Sequence, residues 1–217
     1  MKPDEFIINE YSAFLDEKGF PCIAAKAALA RNHVQSFVAI HMACPAHDEE
    51  ILKFLYNFVD SYRTSEKSFH SAAVIFREPL NIDEGTFDSL FWQRLKALSS
   101  LDKERYKHDP RVDSDPRSSR YSFSLKEEAF FVLGLHPESK RRSRRFKYPT
   151  LIFNPHAEFE KLRNTNRYSK MKQVVRRRDV AYSGSINPTL ADFGEVSEVY
   201  QYTGVQYNED WTCPLLH

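Results

Sequence analysis

The chain has 217 residues, 31 Lys and Arg against 30 Asp and Glu, 41% hydrophobic and 14% aromatic content, and 6 glycines. That length suits a single α/β or α+β domain, and the abundance of large apolar side chains excludes disorder along the whole chain. The net charge of +1 hides a separation: residues 140–178 carry fourteen cations and two acids, whereas residues 179–217 carry six acids and neither Lys nor Arg.

Pro3 and Asp4 open a first predicted helix, in which Phe6, Ile7, Tyr11, Phe14 and Leu15 recur at helical spacing and Gly19 supplies a left-handed stop. Phe20-Pro21-Cys22 then breaks the chain before a short Ala-rich helix over Ala24–Ala30. Val34–Met42 has the composition of a strand. Asp48–Tyr62 returns to helical period through Ile51, Leu52, Leu55, Phe58 and Val59, and Ala72–Phe76 is a short apolar strand ended by Pro79. A further helix runs from Asp83 to Leu101, with Phe87, Leu90, Phe91, Leu95 and Leu98 on one face. Between Lys103 and Arg120 the chain is polar, contains prolines and lacks a period, so a long loop is expected there, of the kind that is functional or mobile. Ala129–Leu135 and Thr150–Phe153 are continuous apolar runs suited to buried strands. Ala157–Arg163 and Tyr168–Tyr182 read as helices, the second strongly basic, and the last 35 residues as a mostly irregular wrap. The fold class expected is α+β (mixed α/β): one domain spanning residues 1–217, with a mixed sheet of about four to five strands covered by helices.

No stretch approaches the ~18 uninterrupted apolar residues of a membrane span. The opening Met1-Lys2-Pro3-Asp4-Glu5 is acidic and resembles neither a signal nor a transit peptide, so a soluble, cytoplasmic protein is expected. Three cysteines, Cys22, Cys44 and Cys213, are too few for a disulfide scaffold, and Cys44 with His47 makes only half of a zinc site.

The chain lacks GxGxxG, GxxxxGK[ST], GxSxG and HExxH, which removes the usual marks of dinucleotide folds, P-loop enzymes, elbow-type hydrolases and zincins. Two segments remain. Leu135-His136-Pro137 runs into Ser139, Lys140, Arg141, Arg142, Arg144 and Arg145, an imidazole beside guanidinium forks that bind carboxylates or phosphates; the plain alternative is a solvated basic loop. Asn154-Pro155-His156 puts a second histidine at a strand-to-helix corner, where a structural role competes with ligation. If their strands are neighbours, the two histidines meet at one rim of the sheet, as an iron site would need. Lys170, Lys172 and Arg176–Arg178 on the basic helix raise nucleic-acid binding as another reading, against which the near-neutral total counts.

The stretch Phe123–Pro137, Ser139, Arg141, Arg144-Arg145-Phe146, Phe153–His156, Phe159-Glu160 and Leu162-Arg163 resembles the YqcI/YcgG family. The resemblance continues through Arg178-Asp179, Gly184–Pro188, Asp192–Gly194, Ser197-Glu198, Gln201-Tyr202 and Trp211–Pro214, with Phe20-Pro21-Cys22 as an N-terminal landmark. Members with an assigned role are heme-dependent N-hydroxylases of guanidine or amine groups. The resemblance therefore implies an oxidoreductase, a b-type heme monooxygenase acting on a small arginine-like cationic metabolite. It implies His156 as axial iron ligand, with His136 as the alternative and a thiolate from Cys22 or Cys213 as the minority choice. Ser139, Arg141, Arg144 and Arg145 would take the heme propionates, and Asp192, Glu198, Gln201 and Tyr202 would face the substrate. No flavin or nicotinamide motif is present, so an external electron donor of the ferredoxin or reductase type is implied. A heme sensor or carrier without turnover is the alternative, and a basic nucleic-acid-binding module a more distant one. Lys140, Ser143 and Val205 depart from the family's expected pattern and leave the substrate open.

Overall fold

The computed structural model describes residues 3–164, 167–192 and 194–216; the Met1-Lys2 start and the Phe193 landmark lie outside them. Five strands, β1 (Val34–His41), β2 (Ser71–Glu78), β3 (Phe123–Leu125), β4 (Glu128–Leu135) and β5 (Thr150–Pro155), form one sheet in the order β1-β2-β5-β4-β3. β1 and β2 run parallel, and every other neighbouring pair is antiparallel, so the sheet is mixed. Seven helices among the described residues complete an α+β domain: α1 (Pro3–Asp16), α2 (Ile23–Ala30), α3 (Asp48–Arg63), α4 (Glu84–Lys103), α5 (His156–Asn164), α6 (Arg167–Ser183) and the short α7 (Val199–Tyr202).

The pleat sends alternate residues to opposite faces. Ala72, Val74 and Phe76 of β2, with Leu151 and Phe153 of β5, pack under α3 and α4; Ala73, Ile75 and Ile152 pack under α1. Both faces are covered, which is why β2 and β5 read as unbroken apolar runs. Asp83 caps α4 by accepting from Thr86 N at 2.8 Å, and Gly19 closes α1 at φ +88°, as the sequence predicts. The buried Arg94 guanidinium of α4 is paired with Asp48 in the first turn of α3 and donates to Met42 O at 3.1 Å, which locks the two helices together.

The structure departs from the sequence reading at two places. β3 was not expected, because its two-residue turn is Lys126-Glu127 rather than a glycine-containing pair. Both residues sit at positive φ (51° and 56°), held by Arg63 Nη2, which donates to both their carbonyls at 2.9 Å, and by Asp102, which accepts from Lys126 N at 2.9 Å. The expected long loop between α4 and β3 is present, and its buried Asp109 carboxylate accepts from Arg111 and from Ala129 N at 2.8 Å. The second departure is that β4 and β5 are neighbours but antiparallel, with Leu135 opposite Thr150 and Phe130 opposite Pro155. The end of β4 therefore lies at the start of β5. His136 and His156 stand at opposite rims, about 24 Å apart at ~3.4 Å per residue, so the expectation of a shared rim is corrected.

The last 35 residues are mostly irregular, as expected, apart from α7 and a 3-10 turn at Pro214–Leu216. No described helix is long and apolar enough to cross a membrane.

Candidate functional site

On the α1/α2 face of the sheet lies a cavity of about 240 Å³. Its floor is made by Val34, Phe131, Leu133, Leu135 and Ile152, and small residues of α2, Ala24, Ala25 and Ala28, leave room beneath that helix. Phe14 and Leu15 of α1, Phe159 and Leu162 of α5, and Val175 of α6 close the sides. Apolar walls with a few convergent polar groups are the usual make-up of a small-molecule or cofactor site.

The polar groups gather at two places. At one, His70 lies just before β2, and its Nδ1 is 3.0 Å from Glu158 Oε1; the other oxygen of Glu158 accepts from Phe69 N at 2.9 Å. With Nδ1 carrying the proton toward the carboxylate, the Nε2 lone pair is left open, and it has no hydrogen-bond partner among the described residues. This carboxylate-behind-imidazole arrangement is how proteins orient metal-ligating histidines. The His33 ring stacks on His70 at 4.5 Å between centroids and 2° between planes. Cys22, also in the wall, caps α2 by accepting from Ala25 N at 3.4 Å; burial pushes its thiol pKa up, and the amides at the helix start oppose that.

At the other place, Arg141 and Asp179 line the cavity as a pair at 2.5 Å, with Ser143 and Ser183 donating to Asp179. The Arg141 Nε is buried and lacks a hydrogen-bond partner. Arg144 also reaches the wall, but its guanidinium is buried and donates to Tyr202 O at 2.7 Å and Gln201 O at 2.6 Å; burial pushes its pKa down to about 10. Arg145 turns back onto Ser139 O at 2.8 Å, and the Ser139 hydroxyl accepts from Arg141 N at 3.3 Å. Of the basic loop, therefore, only the Arg141 Nε holds an open donor of this kind at the cavity wall.

The two histidines singled out in the sequence are elsewhere. His136 is 1% exposed, on the opposite face, stacked on Phe87 of α4 at 4.3 Å, its Nδ1 buried and unpartnered. Burial pushes its pKa down to about 4. His156 is 2% exposed and engaged through both nitrogens: Nδ1 is 2.9 Å from Ser122 Oγ, which donates to Glu198 Oε2 at 2.7 Å, and Nε2 is 3.2 Å from Arg163 Nη2. Although it contains Ser, His and Glu, this network puts hydroxyl and carboxylate on the same ring nitrogen, without the base-and-orienter order of a triad.

The residues expected to face a substrate are not brought together. Asp192 is paired with Lys172, and Glu198 belongs to the Ser122–His156 network. Tyr202 Oη accepts from Phe123 N at 3.1 Å and is buried; of the four, only Gln201 lines the cavity. The acids in its wall are Glu158 and Asp179. Cys213 is buried among the α4-side core, away from the cavity wall. Among the described residues no group of three or more His, Cys, Asp and Glu is disposed to hold a metal ion by itself.

Sequence reasoning missed His70 and Glu158, though a signal was there. His33 and His70 each stand at the beginning of an apolar strand, and parallel neighbours bring their beginnings to one rim, with Val34 opposite Ser71. The rim argument holds for this pair and fails for His136 and His156, and strand direction is the whole difference.

A model of the YqcI/YcgG family matches residues 11–216. The uncharacterized protein YqcI of Bacillus subtilis (strain 168) is 30% identical over 188 residues, 82% of this chain and 72% of that protein. The uncharacterized protein YcgG of the same organism is 27% identical over 186 residues, with the same coverage of each chain. No solved structure matches significantly.

Proposed function

The chain belongs to the YqcI/YcgG family, and from that membership and its cavity we propose a heme-dependent monooxygenase that hydroxylates a guanidino or amino nitrogen of a small, arginine-like metabolite. The observation that carries the reading is convergence. Phe20, Cys22, Arg141, Asn154, Asp179 and Asn187, drawn from stretches far apart in the chain that carry the family resemblance, all line one apolar cavity.

The donor set fits the group. A porphyrin supplies four nitrogens of its own, so one imidazole or thiolate suffices, and a three-residue metal cluster is not required. His70, oriented by Glu158, is the ligand this reading favours; Cys22, whose sulfur accepts an amide at a helix start, is the second choice. These replace His156 and His136 as candidates, since neither lines the cavity. The open Nε of Arg141 suits a propionate. The cofactor, when bound, supplies oxygen activation, with electrons from an external donor of the ferredoxin or reductase type. The chain's own part is to exclude water with its apolar walls, to hold His70 in one tautomer through Glu158, and to meet a cationic substrate with the carboxylates of Asp179 and Glu158.

A visible spectrum after heme-supplied expression tests this. A Soret band that His70→Ala abolishes or shifts, together with a +16 Da product from arginine-like amines in the presence of a reductant, is the expected result. A Soret band without product in any amine tested would leave a heme sensor or carrier. Absence of the band sinks both readings, and a shift with Cys22→Ala alone moves the ligand to sulfur.

A further inference from the structure

The basic block that dominates the sequence resolves, in three dimensions, into paired and unpaired cations. Lys140 pairs with Glu84, Arg141 with Asp179, Arg142 with Glu17, Lys147 with Glu10 and Lys172 with Asp192. Lys170, Arg177 and Arg178 are exposed and make no ion pair among the described residues. All three belong to α6, and at 100° per residue they fall within about 100° of arc. The only acid of that helix, Asp179, is buried on the opposite side, where it lines the cavity with Val175. Ser169, Gln173, Val180 and Ala181 are the other described exposed residues of the helix, so no carboxylate of α6 offsets its charge.

Apolar surface adjoins this stripe. Val180, one turn past Arg177, is 42% exposed, and Ile186, just beyond the helix, is 53% exposed. The segment is anchored at the cavity's edge by Arg141, whose Nη2 donates to Ser185 O, and Asn187 and Leu190 next to it line the cavity. A cationic rim around exposed aliphatic side chains is the make-up of a transient protein interface.

We infer that the outer face of α6, with Val180 and Ile186, is the docking surface for a small acidic one-electron carrier protein. This rests on the heme reading above, which requires electrons from outside, and it assigns where they enter. Charge selects the occupant: three uncompensated cations attract a partner with an acidic face and raise its encounter rate. Position supports it, because a carrier seated there is separated from the cavity by about one helix diameter, ~10 Å. Single-stranded nucleic acid suits the surface less well, since α6 presents no aromatic side chain on this exposed face for bases to stack on.

The test uses an acidic plant-type [2Fe–2S] ferredoxin as the probe, titrated into the purified full-length chain, with and without heme, at low and physiological ionic strength. Expected are binding that weakens as salt rises and a loss of about tenfold or more in the triple variant Lys170→Glu, Arg177→Glu, Arg178→Glu. Lys96→Glu, an exposed cation on α4, should leave binding unchanged. In the heme-loaded protein the second-order rate of iron reduction by ferredoxin should fall in parallel, with the Soret band unaltered. Ferredoxin binding that is absent, or equal in wild type and triple variant, overturns the proposal. Tighter capture of a single-stranded oligonucleotide or of anionic vesicles through the same three residues also overturns it. Loss of the Soret band with charge-dependent binding retained would instead refute the heme reading and leave the surface standing.

Discussion

His70 and Glu158, 88 positions apart in sequence, meet at 3.0 Å in the wall of the cavity, and the same carboxylate takes the N–H of Phe69. One side chain from α5 thus fixes both the start of β2 and the ring that faces the proposed cofactor.

Replacing Glu158 by Ala should therefore cost stability as well as order. It removes the acceptor of a backbone N–H and of a buried imidazole, a loss of about 2–4 kcal/mol. Urea unfolding of the cofactor-free chain reads it directly. A change below ~0.5 kcal/mol would mean that water replaces the carboxylate.

His136 supplies a pH dependence. Its folded pKa is depressed by burial to about 4, below the ordinary value near 6.5, so the unfolded chain binds the proton first as pH falls. The stability it lends is intact above pH 6.5 and declines between there and pH 4, by about 2–3 kcal/mol. His136→Leu should flatten that part of the difference between wild-type and variant stability curves, measured by denaturant midpoints at pH 7, 5.5 and 4.

Gly134 of β4 has no room for a side chain. A Cβ there would stand 2.8 Å from two atoms of the Phe87 ring and 3.1 Å from Phe91, in a packed layer. Gly134→Ala should lose about 1–3 kcal/mol. Gly85→Ala, in the first turn of α4 with its nearest neighbour at 3.4 Å, should be neutral or slightly stabilising. Equal midpoints for the two variants would contradict this packing.

The thiols should separate by rate. Cys44 is exposed, Cys213 is buried with its pKa pushed up to about 11, and the half-buried Cys22 thiol is likewise raised by desolvation. Alkylation near pH 8, followed by peptide mass spectrometry, should label Cys44 about a hundredfold faster than Cys213. Cys22 should become slower still on loading with heme, whereas heme-independent labelling would place the cofactor away from that wall.

The helices and the long strands were legible because burial is periodic: Phe87, Phe91, Leu95 and Leu98 of α4 repeat along one face, and β2 and β5 are apolar on both sides. β3 was not, because Lys126-Glu127 holds a left-handed turn through contacts from α3 and α4 rather than through its own residue types. The candidate site is half legible. Cys22, Arg141, Arg144 and Gln201 all stand out in the sequence and line the cavity. His70 was missed, and His136 and His156 were paired, for one reason: the composition of an apolar run reveals a strand but not its direction, and direction decides which ends share a rim.

The Lys126-Glu127 turn carries one more consequence, for the order of assembly. A non-glycine residue in the left-handed region costs roughly 1–2 kcal/mol, so this hairpin works against its own local preference until Arg63 and Asp102 arrive from α3 and α4. It should therefore form late in folding, and a peptide of residues 120–135 alone should show no hairpin by NMR. Asn-Gly in place of Lys126-Glu127 would let the hairpin form by itself and shift it toward the beginning.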